Sequence, residues 1–364
     1  GGNLTGIITE AEYKQFKSEA LTLRAMCYFD LLQLYAQPYA KNNGANPGLP
    51  LRLTANKTSE GNDLARSTVA ETYTQILKDL NDAEPLAIAD QTSALLRTTR
   101  IHKNTIIALK TRVYLQMGNY PAVKTEAAKI VPAAAPFVAP TGAPLALSST
   151  FAAIWNTPYT TAESIFSMPF TSTNLAGTQN SMAHYNHPSS SESYYINTAA
   201  AAYTGMNAAD ARMTQFQSGT VSGVGTVYFV GKWPSFTVQS DYAPVIRYAE
   251  VLLSYAEALV RDGNVVTQQA VNLLNAVRTR SYPAGVYAIG DFADATAFIN
   301  AVLLERNIEF LGEGLRNLDL MRTLSTIPGK PGSPTSVPST SASYIWPIPD
   351  SEISSNKLMT GNGN

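Results

Sequence analysis

Few side chains in this 364-residue chain could carry chemistry: three histidines, one cysteine and a scatter of carboxylates. His184 and His187 form an H-x-x-H pair in a Ser-, Asn- and Tyr-rich stretch, with Glu192 close behind. A metal site needs a third ligand and a rigid element to hold the spacing. No helical pattern surrounds this pair, so it reads as two solvated loop histidines. His102 precedes a helical pattern and reads as a surface residue. The lone Cys27 sits at an apolar helical position, which favours buried packing over nucleophilic work, and it excludes a disulfide within the chain. No G-x-S-x-G, H-E-x-x-H, G-x-x-x-x-G-K-[ST] or C-x-x-C occurs. Gly219, Gly223 and Gly225 cluster, but no helix follows to receive a phosphate, and a hairpin turn fits them better.

The carboxylates group differently. Glu305, Glu309, Glu313 and Asp319 alternate with Arg306, Arg316 and Arg322. This pattern reads as a structural ion-pair network, joined by Arg247 and Glu257 from an upstream helix. A carboxylate pair for glycoside hydrolysis stays open, because its separation is spatial and not sequential. Catalytic residues, metal ligands and cofactors are therefore not assigned.

Rings and amides offer another chemistry. Sugar rings have apolar C–H faces that stack on Tyr or Trp, while Asn, Gln, Asp and Arg satisfy their hydroxyls. Tyr39, Asn42 and Asn43 stand in one Asn/Gly/Pro-rich loop, and Trp155, Tyr159, Tyr194 and Tyr195 in a second, longer one. These seven are the candidate ligand contacts. The alternative is that the same rings pack their loops against the helices.

The elements that must position them are helical. Thr9 followed by Glu12 predicts a capped helix over 10–37, with Phe16, Ala20, Leu23, Met26 or Cys27, Leu31 and Leu34 as its inner face. A second helix is expected from a cap at Ser67 to Leu86, a third over 102–117, and a fourth from Tyr120-Pro121. Residues 244–280 read as two helices joined at Asp262-Gly263-Asn264. On the first, Arg247, Glu250, Ser254, Glu257 and Arg261 share a narrow polar stripe. Glu257 precedes Arg261 by four residues, the favourable order for an ion pair, and Gly263 suits a left-handed helix end. Helices over 294–312 and up to Leu324 follow. The phrases YLQMGNYPAV and LVRDGNVV both resemble the turn between helices of a tetratricopeptide repeat, 145 residues apart, so the repeats are not tandem. The scaffold thus comprises 10–131 and 244–324, a loop-rich insertion spans 132–243 with strands expected at 164–170 and 227–230, and an extended segment fills 325–364.

Composition narrows the class. Charged residues make up 15% of the chain, against an ordinary ~25%, and tyrosine is abundant. A net charge of −1 makes no electrostatic case for nucleic acid. No apolar run approaches the ~20 residues of a membrane helix. The opening Gly1-Gly2 carries no signal peptide or lipid-attachment cysteine, which is compatible with a cytosolic protein or with a trimmed mature one.

Seven segments, in order, resemble the SusD/RagB family of Bacteroidetes nutrient-binding lipoproteins. They are EALTLRAMCYFDLLQLYAQPY (19–39), NPGLPL (46–51), RSTVAETYTQILKDLNDAEPL (66–86), PVIRYAEVLLSYAEALV (244–260), LNAVRTR (274–280), ERNIEFLGEGLRNLDLMR (305–322) and IWPIPDSEISSN (345–356). The resemblance implies a mostly α fold: a single SusD-like domain over 1–364, with four tetratricopeptide-like helix pairs, a loop-rich face and a few short strands. It also implies non-catalytic glycan binding at the extracellular face of the outer membrane, docked on a SusC-like TonB-dependent transporter. The lipid anchor of the family lies outside this sequence, and the chain is short for the family. The sugar site is expected near the loop after the first long helix and the insertion. Other readings are a tetratricopeptide-type scaffold for peptides, a relative that takes peptide or glycoprotein fragments, and a glycoside hydrolase.

Overall fold

A computed structural model describes residues 6–58, 60–190, 194–330 and 335–363. In chain order the elements are α1 (Glu10–Tyr35), α2 (Val69–Ala83), α3 (Ala94–Thr99), α4 (Lys103–Gln116), α5 (Tyr120–Ala127), β1 (Ser164–Met168), α6 (Met182–Tyr185) and α7 (Ala201–Thr204). There follow β2 (Phe216–Val221), β3 (Gly225–Val230), β4 (Ala243–Arg247), α8 (Tyr248–Gly263), α9 (Gln268–Ser281), α10 (Ala295–Glu309), α11 (Leu315–Arg322) and α12 (Asp350–Ser355). The fold is mostly helical with a few short strands. It forms two compact units, one of residues 1–87, 113–119 and 317–364, the other of 88–112 and 120–316.

In the first unit α1 pairs with α2. Both open with a full capping box, Thr9 with Glu12 and Thr68 with Glu71, in which each threonine accepts the N3 amide and each glutamate accepts the cap's own N–H. The α2 cap is thus Thr68, one residue past the expected Ser67. The buried side of α1 is made of Ser18, Thr22, Ala25, Tyr28, Phe29 and Leu32, while Phe16, Leu23, Leu31 and Leu34 are exposed. This inverts the expected face. Periodicity marks two faces on this helix, but the small-residue one lets α2 approach closely. Ser18 donates to the Ala83 carbonyl at 2.9 Å, and Arg24 clasps Asp79 at 2.6 and 2.7 Å. Cys27 falls on the other side and is exposed, not buried as its neighbours suggested. The C-terminal segment closes this unit. Trp346 N–H bonds the Leu34 carbonyl, Tyr344 donates to the Ser325 carbonyl at 2.7 Å, and Asn356 pairs with the Leu64 backbone in both directions.

The second unit is organised around α8, which packs on α5, α9 and α10. Nearly every residue from Tyr248 to Val260 is buried, because apolar side chains surround a thin polar stripe that must find partners inside. It does: Glu250 takes two bonds from Arg112 at 2.6 and 2.7 Å, Ser254 accepts from Arg306 at 3.1 Å, and Glu257 meets Arg261 at 2.6 Å. Asn264, not Gly263, adopts the left-handed conformation that ends the helix, with φ 50°. His102 is fully buried, contrary to the surface position expected for it, because the α4 N-terminus is itself enclosed. Burial lowers its pKa to about 4.

Two small antiparallel sheets complete this unit. β1 pairs with β4 from Ser164↔Arg247 to Met168↔Ala243, with irregular register between. β2 and β3 form a hairpin from Phe216↔Val230 to Val221↔Gly225, its turn carried by Gly223 at φ 78°. That is the role the glycine cluster suggested. The insertion also contains an apolar core of Phe151, Ile154, Trp155, Ala183, Ile196, Val230 and Trp233.

Candidate functional site

Residues within 182–186 and 194–202 line a cavity of about 490 Å³ in the second unit. This is within the range of small-molecule sites, ~300–1,000 Å³. Met182, Tyr185, Asn186, Tyr194, Tyr195 and Asn197 line it, together with Ile196, Val230, Leu311 and Gly312. Gly312 has φ 83°, and a Cβ there would stand 3.3 Å from the Trp233 ring, so backbone forms this part of the wall.

Local hydrogen bonds hold this lining. Ser181 caps α6 by accepting His184 N–H at 3.1 Å. The Tyr185 hydroxyl donates to the Gln179 carbonyl at 2.9 Å, and Asn186 donates to the Met182 carbonyl at 2.9 Å. Tyr194 N–H reaches the Tyr185 carbonyl at 2.7 Å, and Ile196 N–H reaches the Tyr228 carbonyl of β3 at 2.7 Å. The Tyr194–Asn197 stretch is thereby fastened to both α6 and the hairpin. The Tyr185 and Tyr194 rings lie parallel, centroids 5.5 Å apart with planes at 14°. Tyr194 is 70% exposed. A large ring open to solvent in a cavity lining offers a flat apolar face on which a ligand can stack. Asn197 accepts Ala199 N–H at its Oδ1, which leaves the amide N–H groups for a ligand.

The same unit holds a dense cluster of charge. Arg247 meets Glu163 at 2.6 Å, Glu309 at 3.0 Å and Glu313 at 2.8 Å. Arg280 joins Glu163 and Glu309. Arg212 reaches Asp210, Glu305 and Glu309, Arg278 takes the second Glu305 oxygen at 2.9 Å, and Lys232 meets Glu313 at 2.6 Å. Burial alone would raise the pKa of Glu309 and Glu313; Arg280, Arg247 and Arg212 around the first, and Arg247 and Lys232 around the second, hold both below the usual carboxylate range. Burial pushes Lys232 down to about 8 despite Glu313, with the Arg247 cation adding to the fall.

Of the residues singled out from sequence, Tyr194 and Tyr195 line the cavity together. Trp155 is only 4% exposed. It sits edge-on to Phe151 and Trp233, with the Lys232 and Arg247 cations 5.0 and 5.4 Å from its ring centre. It is a core residue with no ring face open to a sugar. Tyr159, at φ 63°, stacks on Tyr242 at 5.0 Å and donates to Asp241 at 2.9 Å. Burial and the Asp241 charge push its hydroxyl up to about 12. In the first unit, Tyr39 packs edge-on against Tyr73 at 5.5 Å. Asn42 and Asn43 follow it in left-handed conformations, both exposed, and Asn42 donates to Asn46 at 3.1 Å.

The network residues divide likewise. Arg247 and Glu305 belong to the charge cluster, Glu257 and Arg306 to the α8 stripe, and Asp319 pairs with Arg322 at 2.8 Å. Arg316 has a partner as well. Glu163, Asp210, Arg212, Lys232 and Arg280 escaped notice, because their partners lie far off in sequence. Of the two expected solvated histidines, His184 is buried and edge-on to Tyr185, and His187 is half-buried and stacks on Phe236 at 4.5 Å. Glu192 lies outside the described residues. Tyr185, Asn186 and Asn197 were also unforeseen as site residues; only the density of rings and amides around them hinted at it.

Comparison with known proteins gives a consistent picture. A family model described as the SusD family matches residues 228–364, and one described as starch-binding, associating with the outer membrane, matches residues 5–115. No curated protein sequence matches the chain. A SusD superfamily protein from Bacteroides fragilis is 29% identical, with TM-score 0.82 over 96% of this chain and 76% of its own. One from Bacteroides thetaiotaomicron shares the fold at TM-score 0.84 and 23% identity, over 99% and 81%. A protein described as a laminarin-binding SusD-like protein does so at TM-score 0.75 and 21% identity, over 98% and 80%.

Proposed function

The chain belongs to the SusD/RagB family, and on that premise we propose that it binds glycan without turning it over, at the cavity edged by Tyr185 and Tyr194. The observation that carries this reading is the parallel tyrosine pair in the lining of a 490 Å³ cavity, flanked by the amides of Asn186 and Asn197. Rings of this kind take the apolar faces of sugars, and amides take their hydroxyls. That a fold relative is described as binding laminarin agrees with it.

Glu305, Glu309 and Glu313 are each bonded by two or more cations, which suits a structural role and not acid–base catalysis. The helical parts, in this reading, are the frame, and residues 132–243 carry recognition. Delivery to a SusC-like TonB-dependent transporter, at the extracellular face of the outer membrane through a lipid anchor, is the part of the proposal that rests on family membership alone. No helix among the described residues is long and apolar enough to cross a membrane.

Affinity electrophoresis against a panel of polysaccharides, followed by calorimetry with oligosaccharides, tests the binding. Retention by at least one glycan, lost on Tyr194→Ala, is expected. Release of reducing sugar would instead make the protein a hydrolase. Co-purification of an outer-membrane transporter with the tagged chain tests the delivery step.

A further inference from the structure

We propose that this cavity selects uncharged glycans and turns away those carrying uronic acids or sulfate, an inference that rests on the glycan-binding reading above. Residues 132–243 contain only six Asp, Glu, Lys or Arg: Glu163, Glu192, Asp210, Arg212, Lys232 and Asp241. Five of these are described, and each is 7% exposed or less. Glu163 is held by Arg247 and Arg280; Asp210 and Arg212 hold each other, Arg212 also reaching α10; Lys232 joins Glu313; Asp241 accepts from Tyr159 and from Ser235 N–H. The described charges of the insertion are thus satisfied within the unit, Glu163, Arg212 and Lys232 by residues outside the insertion. Among the described residues, the surface the insertion presents is therefore uncharged.

An acidic sugar needs a cation, because a carboxylate or sulfate that sheds water without a charged partner is strongly disfavoured. Arg212 and Lys232 are the insertion's only Lys or Arg, and both side chains are spent on carboxylates within the unit. No Lys or Arg lines the cavity among the described residues. The two nearby histidines do not replace them. His187 lies flat on Phe236 and burial lowers its pKa, and His184 is packed edge-on against Tyr185. A neutral sugar asks only for what the cavity has: the Tyr194 face for its C–H bonds, and the Asn186 and Asn197 amides with the tyrosine hydroxyls for its O–H groups.

The test sets neutral glucans, mannans and galactans beside polygalacturonate, alginate and chondroitin sulfate in affinity electrophoresis with the full chain, in parallel with Tyr194→Ala. Retention by a neutral polymer, abolished in the variant, with at least roughly tenfold weaker retention by every acidic one, is expected. Equal or stronger retention by an acidic polymer that Tyr194→Ala abolishes overturns the inference and leaves the glycan reading standing. Retention by none overturns both. Asn197→Lys places a cation in the lining and is expected to raise polygalacturonate retention severalfold; unchanged retention counts against charge as the selector.

Discussion

Tyr194 lies parallel to Tyr185 across nine residues of chain, at 5.5 Å between ring centres, and the outer ring of the pair is open to solvent. The inner ring is tied to the Gln179 carbonyl, so the outer one is held by stacking and by its backbone bond to Tyr185. A platform fixed in this manner loses little conformational freedom when a sugar settles on it.

Removing Tyr194 should therefore weaken glycan binding by at least about 1.5 kcal/mol, roughly tenfold or more and enough to abolish retention in affinity gels, with little change in thermal midpoint. Trp155→Ala is the contrasting variant. Its ring is enclosed, and truncation should cost about 3–5 kcal/mol of stability, read as a fall in urea midpoint. A Trp155 variant that keeps full stability yet loses binding would restore that ring to the ligand site.

Glu309 joins three guanidinium groups in the interior. Glu309→Gln leaves them undercompensated and should destabilise by about 3–5 kcal/mol. Acid acts on the same groups. Because the folded pKa values of Glu309 and Glu313 lie below the ordinary carboxylate range, their contribution is whole above about pH 4.3 and drains away as pH falls below it. Wild type should lose midpoint steeply there, and Glu309→Gln less so.

His102 gives a separate window. Its folded pKa, about 4, is below the ~6.5 of an exposed histidine, so the unfolded chain binds the extra proton between these values. Stability should decline from pH 6.5 toward 4 by about 3 kcal/mol, and His102→Gln should flatten that limb. An unchanged limb in the variant would show that another group governs it.

Cys27 is exposed on α1. A thiol reagent should label one site per native chain without denaturant. Labelling only after denaturation would place Cys27 in contact with something that shields it.

Much of the frame was legible in the sequence. Thr9 with Glu12 announced α1, the narrow polar stripe from Arg247 to Arg261 announced a buried α8, and the ordered phrases around Glu305 to Arg322 pointed to the family. These signals are local: a cap is read over three residues and a helix face over four. The tertiary structure decided the rest. It turned Phe16, Leu23, Leu31 and Leu34 outward, because burial of a helix face depends on which side its neighbour can approach. It enclosed Trp155 and opened Tyr194, two rings that look alike in a loop-rich stretch. It also joined Glu163, Arg212, Lys232 and Arg247 into one charged cluster. Sequence spacing sets which residues share an element, but contact between elements depends on three-dimensional packing, and both the charge cluster and the tyrosine-edged cavity are made of such contacts.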